Sequence, residues 1–277
     1  MEPILTVEQV KEMIEKERAT VIDVRSNLQD PDQGEQEYHK AHLPGAFYLH
    51  LERDLSGEKQ LHGGNHPLPP QARLEEKLQQ FGVQNDKPII IYGTDNDMFA
   101  GRAWWLLHYL GHPEVYVLDG GYKAWVQQDY ETTADIPKVN PSNWEGETSA
   151  ELTAAIDEVQ KRPVQSTLID SRAPNRYTGE VEPMYHKAGH IPGAVNYFWK
   201  DVLQEDGSWK TKAQLQEHFS YLNQADEIIV SCGSGVSACP NYIALKRAGF
   251  ENVKLYPGSY SDWISYEDND VHQGEEP

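Results

Sequence analysis

The chain repeats itself, and that repeat constrains the fold more than any other feature of its 277 residues. Val21-Ile22-Asp23-Val24-Arg25 returns as Leu168-Ile169-Asp170-Ser171-Arg172 at an offset of 147. His42-Leu43-Pro44-Gly45-Ala46 returns as His190-Ile191-Pro192-Gly193-Ala194 at 148. Leu5-Thr6 and Leu152-Thr153 open the two halves, again 147 apart. Gly120-Gly121-Tyr122-Lys123-Ala124-Trp125 matches Gly258-Ser259-Tyr260-Ser261-Asp262-Trp263 at 138. Ordered anchors at a nearly constant offset mean two copies of one domain, the second about ten residues shorter in its middle.

Each copy alternates strand and helix. Thr6 and Gln9 form a capping box ahead of Val7, Val10, Met13 and Ile14 at helical spacing. Thr20–Val24 is a short β-rich run, and the apolar runs Pro88–Tyr92 and Glu227–Ser231 suit strands buried on both faces of a parallel sheet. Ala100–Leu110 predicts an apolar helix stopped by Gly111, with a strand over Val115–Leu118; Asn241–Arg247 and Val253–Tyr256 repeat that pair. The expected fold class is therefore α/β, with two tandem domains, each a parallel sheet flanked by helices. The boundaries expected are 1–135, a linker over 136–148 rich in Pro, Asn, Ser and Gly, and 149–277. The tail ending Glu275-Glu276-Pro277 is expected to be solvated and frayed.

Composition closes off several functions. A formal charge of −20 argues against a nucleic-acid backbone or an anionic membrane as partner. The opening MEPILTVEQVKEMIEKE has no basic region followed by an apolar one, and no run approaches membrane-spanning length. The only cysteines, Cys232 and Cys239, are too few for a disulfide scaffold and fit a reducing cytoplasm. No metal site and no cofactor are expected: two cysteines seven apart with no nearby histidine pair are a poor ligand set.

Features shared by both halves carry the fold, so Asp23 and Asp170, Arg25 and Arg172, and His42 and His190 are read as structural. Chemistry belongs where the halves differ. After Pro88–Tyr92 the first half reads Gly93-Thr94-Asp95-Asn96-Asp97; after Glu227–Ser231 the second reads Cys232-Gly233-Ser234-Gly235-Val236-Ser237-Ala238 and enters a helix. A cysteine at the carboxyl end of a parallel strand, on a Gly-rich loop, sits where open α/β sheets place ligands, and loop amides with a helix N-terminus favour a thiolate. Phosphoryl transfer would need an arginine six positions on, where Ala238 stands, and acyl transfer would need a histidine base that the local sequence lacks. Sulfur transfer suits a thiolate in a ring of N–H donors, which would also hold the persulfide. A non-catalytic module using the loop to bind an anion or a partner is the rival reading, and retention of Cys232 argues against it.

Taken together, the two His-x-Pro-Gly-Ala segments, Asp170-Ser171-Arg172, Arg176-Tyr177-Thr178-Gly179, Leu118-Asp119-Gly120-Gly121, Tyr256-Pro257-Gly258-Ser259 and the loop Cys232–Ala238 resemble the tandem-domain sulfurtransferases of the rhodanese superfamily over nearly the whole chain. The resemblance implies two rhodanese-like domains: a catalytically silent first one, a second carrying the catalytic Cys232, and a site at their interface. The loop resembles the mercaptopyruvate-type Cys-Gly-Ser-Gly-Val-Thr-Ala, with Ser237 for threonine, whereas thiosulfate-type loops carry basic residues after the cysteine. The resemblance also implies that Arg176, whose counterpart in the first half is Gln29, binds an anionic substrate. A second arginine of the mercaptopyruvate branch is replaced by Tyr185, beside His186 and Lys187. His66, in His66-Pro67-Leu68-Pro69-Pro70, and Glu52 match a histidine and an acidic partner that relay a proton with Ser234; His62 is a weaker candidate. Cys239 matches a family position best explained by packing, and oxidation could join it to Cys232. The implied activity is transfer of a sulfane sulfur from 3-mercaptopyruvate, with thiosulfate as the alternative donor. The acceptors implied are cyanide, a small thiol or a reduced thioredoxin, and the localisation expected is cytoplasmic.

Overall fold

In the computed structural model, which describes residues 2–275, the chain divides into two units. The first holds residues up to Gly57, Leu68–Ser149 and Leu203–Trp209; the second holds Glu58–Pro67, Ala150–Val202 and the chain from Lys210. Each unit thus takes in one loop from the other half of the sequence. The loop 49–70 is longer than its counterpart 197–211, which accounts for most of the length difference between the halves.

Unit 1 contains β1 (Ile4–Leu5), α1 (Val7–Glu15), β2 (Thr20–Asp23), α2 (Gln33–Lys40), β3 (Ala46–Tyr48), α3 (Gln71–Gln80), β4 (Ile89–Tyr92), α4 (Met98–Tyr109), β5 (Val115–Leu118) and α5 (Gly121–Gln127). Its sheet runs β1-β5-β4-β2-β3, all parallel. Unit 2 contains α6 (Ile156–Gln160), β6 (Thr167–Asp170), α7 (Pro174–Tyr177), β7 (Ala194–Asn196), α8 (Lys212–His218), β8 (Ile228–Ser231), α9 (Cys239–Ala248), β9 (Val253–Leu255) and α10 (Ser259–Trp263). Its parallel sheet runs β7-β6-β8-β9, and Thr153 adds a single parallel bridge to Leu255 where unit 1 has β1. Every residue of β4 and β8 is buried, as expected of central strands covered on both faces. The Thr6–Gln9 capping box forms with both of its hydrogen bonds.

The repeated residues do the same work in both units. Arg25 Nη2 meets Asp23 Oδ2 at 2.7 Å, donates to Ala41 O, and stacks its guanidinium 4.0 Å from the Tyr122 ring centre. Arg172 meets Asp170 at 2.6 Å, donates to Gly189 O, and lies 4.0 Å from the Tyr260 ring. His42 stacks on Tyr38 and His190 on Tyr177, each with Nδ1 at the carbonyl of that tyrosine. These pairs fasten the start of each sheet to the segment that follows it, as the structural reading of the repeat expects.

The segment 136–148 lies along unit 1. Ser142 N–H donates to Gln79 O, Trp144 Nε1 to Asn85 Oδ1 and Gly146 N–H to Glu75 Oε1, and Trp144 is buried. The tail is tied down as far as Gly274, contrary to the expectation of fraying. Trp263 Nε1 donates to Asp270 O, His272 pairs its backbone with His190, and Gly274 N–H donates to Thr178 O. Glu276 and Pro277, the end of the expected tail and of the second domain, and Met1, the start of the first, lie outside the described residues.

Candidate active site

β8 delivers Cys232 to the carboxyl edge of the unit 2 sheet, and the loop then turns into α9. Two elements hold it there. Tyr260 N–H donates to Cys232 O at 3.0 Å and Ser261 N–H to Gly233 O at 2.9 Å, so the first turn of α10 pins the loop's carbonyls. Ser259 Oγ accepts from Cys232 N–H at 3.0 Å and donates to Tyr256 O at 2.8 Å. Ser259 has a φ of 53°, a left-handed conformation that costs a side-chain-bearing residue about 1–2 kcal/mol. That strain is the local cost of placing the hydroxyl under the cysteine.

The thiol is enclosed, 1% exposed, and Gly235 N–H donates to its Sγ at 3.1 Å. Gly235 has a φ of 76°, and a Cβ there would lie 2.2 Å from Pro257 O. Only glycine lets the backbone curl back so that its amide faces the sulfur. Cys239 Sγ donates to Gly235 O at 3.3 Å, behind the same peptide, and is fully buried. Val236 and Ala238 are buried, while Ser234 and Ser237 are half-buried. His66 Nδ1 is 2.7 Å from Ser234 Oγ. The segment carrying His66 belongs to unit 2 and is fixed to α10: Gly63 N–H donates to Asp262 Oδ1, Asn65 N–H to Ser261 Oγ, and His62 Nδ1 lies 2.7 Å from Ser265 Oγ. Glu52 is exposed on the turn after β3, in unit 1, with its backbone N–H donating to His50 Nδ1.

Arg176 ends α7 and is less free than a lone cation. Its Nη2 meets Glu182 Oε1 and Oε2 at 2.8 and 3.1 Å, and the same buried carboxylate accepts from Arg172 Nη1 at 3.2 Å. Arg176 Nε is buried and has no hydrogen-bond partner among the described residues. Its guanidinium carbon is 5.3 Å from the ring centre of Tyr185. Tyr185 in turn reaches the cysteine loop: a Cβ on Gly233 would lie 2.6 Å from the Tyr185 hydroxyl oxygen. Burial, and after it the charge of Cys232, hold the Tyr185 phenol above its ordinary range. A cavity of about 380 Å³ opens beside this corner, lined among others by Tyr185, His186, Asn65 and Ser261.

Sequence reasoning missed Glu182 and gave Tyr185 no role. Neither sits in a periodic pattern, and the stretch between Gly179 and Gly189 is irregular chain where the repeat offset places α2 in the other half. Among the described residues no group of three or more His, Cys, Asp or Glu could hold a metal ion, and no helix is long and apolar enough to cross a membrane.

Unit 1 has the same scaffold without the thiol. Gly93 takes the place of Cys232 in register, with Gly93 O accepting from Tyr122 N–H and Thr94 O from Lys123 N–H. Its loop amides are already occupied. The Asp97 carboxylate accepts from Thr94, Phe99 and Ala100 N–H, and a Cβ on Gly93 would lie 2.2 Å from Asp97 Oδ2. A cavity of about 440 Å³ lies beside Gln29, Thr94 and Met98.

Comparison with known proteins places these features. The family model for the rhodanese-like domain matches residues 6–128 and 149–266. A Pseudomonas aeruginosa protein named probable 3-mercaptopyruvate sulfurtransferase is 40% identical over 269 residues, covering 95% of each chain. A Mycobacterium tuberculosis protein named putative thiosulfate sulfurtransferase SseB is 34% identical over 279 residues, covering 98% of this chain and 97% of its own. The crystal structure of SseA from Escherichia coli, described as a 3-mercaptopyruvate sulfotransferase, matches with a TM-score of 0.83 at 30% identity, covering 94% of this chain and 100% of that one.

Proposed function

The chain belongs to the rhodanese-like family and is a sulfurtransferase, and on that premise we propose that its donor is 3-mercaptopyruvate and that Cys232 takes up the sulfur. The Cys232 thiolate attacks the donor sulfur. A sulfur–sulfur bond forms, the carbon–sulfur bond breaks, and its electron pair passes to C3 as the enolate of pyruvate. The enolate takes a proton and leaves as pyruvate. A thiophilic acceptor then attacks the outer sulfur of the persulfide and releases the Cys232 thiolate. Cyanide, a small thiol and a reduced thioredoxin all have the required nucleophile.

One observation carries this reading: the Gly235 amide faces the Cys232 sulfur at 3.1 Å, at the head of α9, on a loop with no cation of its own. The remaining residues Gly233, Ser234, Val236, Ser237 and Ala238 complete the curve that cradles the sulfur. An amide at this distance stabilises negative charge on the thiolate before transfer and on the persulfide after it. Arg176 is assigned the donor carboxylate, because a planar fork set back from the cysteine suits a group separated from the sulfur by two carbons. Glu182 already takes part of that charge, so the carboxylate meets a partly neutralised cation. That is a better match for a monoanion than for the compact thiosulfate dianion. Ser234 and His66 are assigned proton delivery to the enolate on the strength of their 2.7 Å contact. A part for Glu52 rests on the family resemblance alone.

The test is a steady-state comparison of donors at fixed cyanide, reading pyruvate from mercaptopyruvate and thiocyanate from thiosulfate. The reading expects kcat/KM for mercaptopyruvate to be higher by at least about tenfold, the worth of one charge-assisted contact. A thiosulfate preference of that size would make the protein a thiosulfate:cyanide sulfurtransferase instead.

A further inference from the structure

We propose that the Tyr185 hydroxyl is a catalytic hydrogen-bond donor to the keto oxygen of the sulfur donor, and that Gly233 is glycine so that this hydroxyl can reach the cysteine loop. The proposal rests on the mercaptopyruvate reading above.

The order of groups along the donor and along the site carries the argument. Mercaptopyruvate presents its sulfur on C3, its keto oxygen on C2 and its carboxylate at C1. Unit 2 presents Cys232, then Tyr185, then Arg176. The Tyr185 hydroxyl touches Gly233, the residue next to Cys232, and its ring lies against the Arg176 guanidinium. A donor with sulfur at Cys232 and carboxylate at Arg176 therefore brings its keto oxygen to the phenol. The ring is fixed from both sides, edge-on to Tyr260 at 5.8 Å and packed on the core formed by Leu168, Ile191 and Tyr256.

The Tyr185 hydroxyl oxygen faces the Arg176 guanidinium, which can only donate to it, so the phenol's own O–H is directed elsewhere. Arg176 Nε is buried without a partner among the described residues. An α-keto acid supplies an acceptor to each. As the carbon–sulfur bond breaks, the electron pair moves from that bond through C3 and C2 onto the keto oxygen. That oxygen becomes an enolate, so a hydrogen bond to it strengthens in the transition state, which is how an oxyanion donor accelerates a reaction. The phenol keeps its proton: it donates a hydrogen bond without transferring it, and burial holds it neutral. A neutral donor stabilises the enolate without adding the cation that would favour a dianionic donor. The Cβ position on Gly233 lies 2.6 Å from the hydroxyl oxygen, so any side chain there would push the phenol away. A neutral loop and a tyrosine at 185 are then one device.

The experiment is Tyr185→Phe in the full chain, which removes one oxygen and keeps the ring. It is read with both donors and in both half-reactions. The expected result is a fall in kcat for pyruvate release of about 10- to 100-fold, with KM changed less than about threefold. Thiosulfate has no keto oxygen, so its turnover should stay within about threefold of wild type, as should cyanide discharge of the preloaded persulfide. Gly233→Ala should also lower pyruvate release, because it displaces the same hydroxyl. Pyruvate release by Tyr185→Phe within about threefold of wild type, or an equal loss with both donors, overturns the assignment. A wild-type enzyme that releases no pyruvate from mercaptopyruvate overturns the donor reading itself, and this proposal with it.

Discussion

Gly235→Ala tests whether the amide ring does chemistry or only shapes the loop. The substitution meets two separate obstacles. The residue is held at φ 76°, where a side chain costs about 1–2 kcal/mol. In addition its Cβ would sit 2.2 Å from Pro257 O, so the peptide must move. Moving it takes the Gly235 N–H away from Cys232 Sγ, which now lies 3.1 Å off. A hydrogen bond to a charged group is worth about 1.5–3 kcal/mol, so sulfur loading should slow by roughly ten- to a hundredfold beyond any loss of stability. Gly207→Ala supplies the control: Gly207 has a φ of 84°, yet an added Cβ meets nothing within 4 Å. It should lose stability by a similar strain and keep its loading rate. The assay is rapid-quench loading from saturating donor, with urea unfolding run beside it. If Gly235→Ala loads sulfur as fast as Gly207→Ala while losing no more stability, the amide does not stabilise the sulfur and the cradle argument fails.

Two further outcomes follow from the same geometry. Arg176→Lys should lower kcat/KM for mercaptopyruvate by at least about tenfold, because an ammonium cannot hold Glu182 and a substrate carboxylate with a planar fork; steady-state kinetics checks it, and an unchanged value would take Arg176 out of the donor site. Burial pushes the Asp97 carboxyl up to about 7 from an ordinary 3.8, so the folded protein keeps a proton that the unfolded chain releases. Its contribution is complete below the unfolded value and is lost as pH rises through 7; Asp97→Asn should therefore flatten the fall in Tm between about pH 5 and 8, and a parallel curve would contradict the shift.

What the sequence revealed, it revealed through repetition. Asp23 with Arg25 and Asp170 with Arg172 were readable as fold-bearing because two copies kept them, and the structure gives each the same carboxylate and the same stacked tyrosine. Cys232 stood out for the opposite reason, having Gly93 as its counterpart. Residues without a second copy were harder to read. Glu182 and Tyr185 lie in irregular chain with no period, and only coordinates bring them to Arg176 and Gly233. The segment Glu58–Pro67 is first-half chain by sequence, yet it groups with unit 2. Gly63 and Gly64 are both left-handed there, and a Cβ on Gly64 would lie 2.4 Å from Gly258 O, but a glycine pair in a sequence does not say what it packs against. The 136–148 stretch is mostly exposed, in keeping with its polar composition, but composition gave no sign that Trp144 would be buried against unit 1 with its indole on Asn85.

The central claim is that Cys232 carries the transferred sulfur, and intact mass after donor treatment tests it most directly. The account predicts a gain of about 32 Da, one sulfur held by a cleavable sulfur–sulfur bond, removed by cyanide or reductant. The gain should map to the peptide bearing Cys232, vanish in Cys232→Ser and persist in Cys239→Ser, since Cys239 is fully buried behind the Gly235 carbonyl. A gain that maps to Cys239, or that survives in Cys232→Ser, would contradict the account.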